Sequence, residues 1–503
     1  MIKVRLPKLV YNWISGLGVL TSVVAVLIMF ILYVIGIFAR STNPYLGVVT
    51  YLVSPLFVLA GLLLIPLGML FKRRRIRQGK ERAEAVWPLF DLNQKNHRRT
   101  ALFLFLGTFF FLIISAIGSI QSYHFTESVA FCGRLCHKVM NPEYTAYQNS
   151  PHARVPCVDC HVGPGADWYA KSKLAGLYQV YATLFNKYPR PIPSPIKNLR
   201  PARETCEQCH WPQKFFASQE RRFDHHLYDE KNTLWPIRLL VKTGGGDPRT
   251  GEVSGIHWHM YINHRIEYIP RDVARTDIPW VRQTDVATGL VTVYQDAEKP
   301  ITEKEIKDAK PRLLDCMDCH DRPSHIYNSP DHAIDQAILI GLIDTDLPAA
   351  KQIAVQAMAA KYATEAEAEA GIAKAIADFY KTKYPEVYEK NRKAVDQAIG
   401  ATQKEFSWNI FPTMGVRWEK YPNNIGHFTF KGCFRCHDGK HKTADSRTIF
   451  RDCTTCHTIL SQGSGADARW AQSGVGLEFK HPVDIGDAWK ETGCYECHSG
   501  IQP

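Results

Sequence analysis

The chain has 503 residues, a formal net charge of +12 and 45% hydrophobic content. That length excludes one small domain. The basic excess lies almost wholly before Ser119, among long apolar runs, while the rest is close to neutral. The charge is that of a membrane anchor, which argues against nucleic acid as a partner.

Three apolar runs cover 13–38, 45–71 and 101–121. Each exceeds or matches the roughly 20 residues that cross a bilayer as a helix. Pro55 and Pro66 fall inside the second, where membrane helices tolerate proline. The first run has no small-residue cleavage site behind it, so it reads as a span and not as a signal peptide. The loop 72–100 carries KRRRIRQGKER and NHRR, and Lys3, Arg5 and Lys8 precede the first span. Basic flanks stay in the cytoplasm, so the N-terminus and this loop are expected there, with Ser41 to Pro44 outside. The three spans then deliver the chain to the periplasmic side of a bacterial inner membrane.

The cysteines settle the chemistry beyond the anchor. All 14 fall into seven pairs, Cys132/Cys136, Cys157/Cys160, Cys206/Cys209, Cys316/Cys319, Cys433/Cys436, Cys453/Cys456 and Cys494/Cys497. A histidine follows each pair at once: His137, His161, His210, His320, His437, His457 and His498. A Cys pair followed by His is the attachment signature of a c-type haem, whose iron the adjacent His reaches. A zinc ribbon needs no such His, and no cysteine is left for a disulfide. Six pairs read C-x-x-C-H; the first has one residue more between its cysteines. The outward placement of every motif agrees with the compartment in which haem c is attached.

In chain order, 1–121 is the anchor and 122–200 holds two motifs and a helical stretch, DWYAKSKLAGLYQVYATLF. After the Pro-rich run PRPIPSPIKNLRP, 201–330 holds two more motifs, with strand-like TLWPIRLLVKT and GLVTVY and a Gly-rich turn between them. Segment 331–410 lacks cysteine and has helical periodicity, read as two or three packing helices. Segment 411–503 holds three motifs. The expected fold is mainly α, with large irregular haem-packed regions: a three-span transmembrane helical anchor and a periplasmic multihaem cytochrome c domain, with minor β in the middle.

Haems that only transfer electrons are six-coordinate, and Met raises the potential relative to His. Candidates for the second axial ligand, by nearness to motifs, are Met140, His152, His225, His257, His259, His325, His427, His441 and His481. His226, His264 and His332 rank behind them.

The combination of a first motif ending C-H-x-x-M, then SPHA, CVDCH and WYAKSKLAG, resembles the NapC/NirT/NrfH family of membrane-anchored multihaem quinol dehydrogenases. CHWPQKF, SGIHWH, CMDCHDRPSH and GCFRCHDGKH resemble its heptahaem inner-membrane subgroup from metal-respiring bacteria. The usual members have one span, four haems and a first motif C-x-x-C-H-x-M; both spacings here are one residue longer, which leaves His137, Met140 or neither as ligand of the first iron. The resemblance implies seven c-type haems, oxidation of quinol or menaquinol at the membrane, and transfer to periplasmic multihaem or monohaem cytochromes in anaerobic or extracellular respiration. It places the quinol site after the second motif, at Asp167 and Lys171 with Lys173 as alternate; Glu127, Glu143 and His124 are weaker candidates. The alternatives are a reductase of a small nitrogen or sulfur oxyanion, or a passive electron-transfer subunit of a separate reductase.

Seven motifs predict that the intact protein exceeds the 57.1 kDa chain by seven haem masses. Mass spectrometry that finds six would show the first, long-spaced motif to be unused.

Overall fold

The computed structural model describes residues 8–38, 54–79, 93–135, 137–196, 199–211, 215, 217–244, 255–261 and 263–501. Cys136, the start of the second apolar run, residues 80–92 of the basic loop and Gly245 and Gly246 of the Gly-rich turn lie outside them, as does the side chain of His137. The chain divides into two units. One comprises residues 1–132 with 162–176, the other 133–161 with 177–503.

The anchor unit is built on α1 (Trp13–Phe38), α2 (Ser54–Arg77) and α3 (Lys95–Thr126). Three helices are long and apolar enough to cross a membrane. The first two pack through small residues. A Cβ on Gly18 would lie 2.6 Å from the Gly61 carbonyl oxygen, and one on Gly61 would collide with Ser22 Oγ. Ser15 Oγ donates to the Ile65 carbonyl at 2.9 Å and Ser22 Oγ to that of Val58 at 3.2 Å. Close backbone approach and interhelical hydrogen bonds replace the hydrophobic drive that lipid removes. Lys72, at the basic end of α2, donates to the Tyr11 carbonyl at 2.7 Å. Pro66 sits inside α2, as its lipid setting permits. The third helix runs to Thr126, five residues beyond the expected end of the span.

Phe131–Leu135, which carries the first cysteine, winds as a π turn. A π turn holds one residue more than an α turn. The extra residue of the first motif is thus absorbed locally. Then come α4 (His137–Gln148), α5 (Cys157–His161), α6 (Ala166–Leu184) and α7 (Ala202–Cys206).

Nine strands follow: β1 (Gln219–His226), β2 (Leu234–Val241), β3 (His264–Ile269), β4 (Trp280–Asp285), β5 (Val291–Asp296), β6 (Arg312–Leu313), β7 (His441–Lys442), β8 (His457–Gln462) and β9 (Arg469–Trp470). They form two antiparallel sheets, ordered β1-β2-β8-β9 and β6-β3-β4-β5-β7. Val241 pairs with His457 and Asp296 with His441. Both sheets therefore tie the middle of the chain to its C-terminal three-motif segment. The strand-like runs of the sequence are β2 and β5.

Between them lies a helical layer: α8 (Glu303–Asp308) and α9 (Cys316–Cys319), then α10 (Pro330–Leu339), α11 (Ala350–Ala359), α12 (Glu365–Lys383), α13 (Pro385–Lys390) and α14 (Arg392–Asn409). The spacer expected as two or three helices holds five, because α13 is a short Pro-started turn and α10 and α11 are separate. Its periodicity is plain in α12. Ala368, Ile372, Ile376 and Tyr380 recur every fourth residue, so they share one face and are fully buried. With Ile334, Leu347, Met358, Val395 and Phe406 they make the largest apolar core of the chain's described residues. α15 (Ala488–Glu491) and α16 (Cys494–Cys497) close the chain.

This core contains a charge. Lys351 is fully buried and donates to Asp331 at 2.9 Å and Asp335 at 2.6 Å. Burial pushes the Asp335 carboxyl up, but hydrogen bonds from His225, His226 and Lys351 outweigh it and hold it well below the usual range. Lys351→Met would strand two buried carboxylates, a loss on the order of 3–5 kcal/mol. Native-state hydrogen exchange in α12 should report that loss; unchanged protection would mean the pair is dispensable.

Candidate haem sites and quinol site

Each C-x-x-C-H segment winds as one tight turn, α-helical or 3₁₀ except in the third, where the helix ends at Cys206 and a turn continues it. The histidine N–H donates back to the carbonyl of the first cysteine in four of them: His210 to Cys206, His320 to Cys316 and His498 to Cys494 at 2.8 Å, and His437 to Cys433 at 3.0 Å. Residues i, i+3 and i+4 share a helix face. One turn thus presents two thiols and one imidazole to the same side, which is what thioether attachment with axial ligation requires.

The sequence treats the two thiols of a pair alike, and the fold does not. Cys209 is exposed whereas its partner Cys206 is half-buried. The reason is local: α7 ends at Cys206, and Cys209 lies in the turn beyond it, where its N–H still donates to the Cys206 carbonyl at 3.1 Å. His210 beside it is exposed as well. Cys319, Cys453 and Cys497 are likewise exposed.

Across from these imidazoles stand others. Ring centroids are 6.2 Å apart for His161 and His325, 6.1 Å for His210 and His152, 5.8 Å for His437 and His259, 6.2 Å for His457 and His427, and 6.0 Å for His498 and His481. Metal–imidazole bonds of about 2 Å put two nitrogens on opposite sides of one metal ~4 Å apart, and the centroids ~6 Å apart. These five pairs have that spacing. Burial lowers the pKa of His320, and the charges of the neighbouring imidazoles His257, His210 and His152 lower it further.

The far side of the rings fits the same reading. A metal-ligating His turns its other nitrogen to a carbonyl or carboxylate. His259 Nδ1 meets the Ile256 carbonyl at 2.9 Å, His325 that of Glu143 at 3.0 Å, His437 that of Phe450 at 3.0 Å and His481 that of Val483 at 2.8 Å. His257 Nδ1 meets the Thr243 carbonyl. In His152, His427 and His457 the Nδ1 atoms are buried with no protein partner, so this far-side contact is missing in those three. The residues present fit haem at the five paired sites.

The remaining axial candidates are placed differently. His441 is engaged at both nitrogens, by Asp438 at 2.9 Å and the Ile278 carbonyl at 2.7 Å, so neither is turned to an iron. His225 lies 3.6 Å from Asp335 with its ring on Phe428, and His226 Nδ1 is 3.1 Å from Asp335; both belong to the Lys351 cluster. His264 stacks on Trp258 at 4.2 Å. His332 opens α10, where its N–H meets the Ser329 cap at 3.4 Å. Met140 is half-buried in α4.

Two positioning roles escaped sequence reasoning, one inside a motif and one at Glu143, which the sequence offered only as a quinol candidate. Asp318, within C-M-D-C-H, is buried and held by Tyr268 at 2.6 Å, Arg275 at 2.6 Å and Arg312 at 2.9 Å. Glu143 pairs with Arg322 at 2.7 Å while its carbonyl holds His325. A charged residue between paired cysteines was the available signal for the first; nothing local marks the second.

In the anchor unit, the candidate quinol residues separate. Asp167 is exposed in the first turn of α6, and Lys171 lies over the Trp168 ring at 4.5 Å. Lys173 instead pairs with Glu127, whose side chain is 12% exposed, and sits 5.1 Å from the Tyr169 ring. Burial, and then the Glu127 carboxylate, push the Tyr169 phenol up. His124 lies in the last turn of α3. Glu127, ranked behind Asp167 from sequence, is the carboxylate with a lysine partner here. From α6, Leu174, Leu177, Tyr178, Tyr181 and Leu184 recur at helical spacing and are exposed, an apolar stripe.

Residues 94–191 match the N-terminal region model of the NapC/NirT cytochrome c family. The chain is 44% identical to the cytochrome c-type protein ImcH of Geobacter sulfurreducens over 490 residues, 97% of this chain and 95% of that protein. No solved structure matches it.

The pairing predicts distinct spectra. Alanine at His152, His257, His259, His325, His427 or His481 should each turn one haem into a form that binds carbon monoxide. Alanine at His441 or His225 should not. The reverse pattern in carbon monoxide difference spectra would overturn the pairing.

Proposed function

The chain belongs to the NapC/NirT cytochrome c family, and on that premise we propose that it is a heptahaem inner-membrane protein that oxidises menaquinol and passes the electrons to periplasmic cytochromes. Multihaem electron transfer at a membrane is the family's trade; quinol oxidation by this chain is our reading. The observation that carries it is the matching of five motif histidines with five others. A reductase of a small oxyanion needs a haem with an open position, and these five sites offer none.

The haems supply one-electron carriers, with potentials set by axial ligand, burial and hydrogen bonding. The protein's own task is to hold quinol and take its protons, two for each pair of electrons released. A positioned carboxylate serves as base. Glu127 and Lys173 fit that role: the lysine orients the carboxylate and can donate to a quinol oxygen, and Tyr169 closes one side. Glu127 lies five residues before Cys132 in the chain, close along the sequence to the first motif. Exposed Asp167 is a proton relay to water. The basic loop supports a cytoplasmic N-terminus and a periplasmic haem domain.

Glu127→Gln should slow haem reduction by a menaquinol analogue about a hundredfold, the low end of what a positioned base contributes. Reduction by dithionite should not change. Wild-type rates with both reductants would return the base to Asp167. No reduction of the native protein by menaquinol would favour a passive subunit.

A further inference from the structure

The six sites from Cys157 to Cys497 touch one another in sequence order. α5, with the second motif, packs on α7, which ends at Cys206 of the third. α7 packs in turn on α9, the fourth motif. Arg435, inside the fifth motif, donates to the carbonyl of Asp318 inside the fourth at 2.6 Å. Phe434, also in the fifth, stacks at 4.4 Å on His427, which faces His457 of the sixth. Arg451, just before the sixth motif, donates at 2.6 Å to the carbonyl of Glu491, just before the seventh. His325 adds one cross-link, since it follows the fourth motif by five residues yet faces His161 of the second.

We propose that haems two to seven lie in the order of their motifs, that the C-terminal site at Cys494, Cys497 and His498 is the terminus of the path, and that a small soluble redox protein docks there. The surface at that site suits such a partner. Cys497 is exposed. The loop whose Val483 carbonyl holds His481 presents Val483 at 55% and Ile485 at 41% exposure, flanked by exposed Asp484 and Asp487. A small apolar patch with a charged rim beside a cofactor edge is enough for a transient electron-transfer contact, which buries less than about 1,200 Å². The partner gains the electron the protein loses; no proton or bond moves.

The exit gives direction to the proposed quinol oxidation and rests on that reading for its meaning, but its tests do not need quinol. An electron cryomicroscopy map of the haem-loaded protein should show iron seven nearest to iron six, and each consecutive pair from two onward adjacent. An iron seven nearest to any other, or a consecutive pair separated by a third iron, would overturn the order. For the terminus, the protein is reduced with dithionite and mixed with soluble mitochondrial-type cytochrome c. Cys494→Ala/Cys497→Ala should weigh one haem less and transfer electrons at least about tenfold more slowly, a loss equal to ~1.4 kcal/mol of barrier. A wild-type rate would place the exit elsewhere. If both tests succeed and menaquinol still fails to reduce the protein, the quinol reading fails alone.

Discussion

One geometric constraint underlies the rest: imidazoles that face one another in five pairs at a centroid spacing of 5.8 to 6.2 Å, the spacing that an iron between them would require. One imidazole of each pair is local, delivered by the helical turn that carries the thiols. The other comes from elsewhere in the chain. His152 precedes the second motif and faces His210 of the third; His325 follows the fourth and faces His161 of the second. His259, on the 3₁₀ turn Ile256–Met260, faces His437 of the fifth. A haem held by such a pair would cross-link separate segments. That is why the chain can hold long irregular stretches while, among the described residues, its extensive apolar core is confined to the helical layer from α10 to α14.

Those crossings also bind the motifs to one another. Charges inside the motifs do similar work, as Arg435 and Asp318 show. The sheets extend the ties: β8 begins at His457 and pairs with β2, and β7 at His441 pairs with β5. His441, committed at both nitrogens, is therefore a structural residue of a sheet edge that sits beside a motif.

What the sequence discloses and what it withholds follow from distance along the chain. The attachment cysteines and adjacent histidines were readable because one helical turn contains them. How far each thiol is covered was not, as Cys209 shows, because that depends on where α7 stops and on what packs over it. The spans and α12 were readable because their periodicity or length is itself the signal. Nearness to a motif drew in the five histidines that stand across from motif imidazoles. It also drew in His225 and His441, whose hydrogen bonds come from Asp335 and from the Ile278 carbonyl far away in sequence. The Glu127–Lys173 pair was hidden for the same reason: 46 residues separate its partners. The π turn lay between these cases, visible as one extra residue but legible as a turn only in three dimensions.

The central claim is our proposal that the six sites beyond the first are closed by histidine on both sides, five of them on observed ring pairs, which would make the domain a conductor and not a site of small-molecule reduction. Near-infrared magnetic circular dichroism of the fully oxidised protein reads axial ligand type directly. The account predicts six haems with the charge-transfer band of bis-imidazole ligation. A high-spin or His/Met signal accounting for more than one of the seven haems would contradict it.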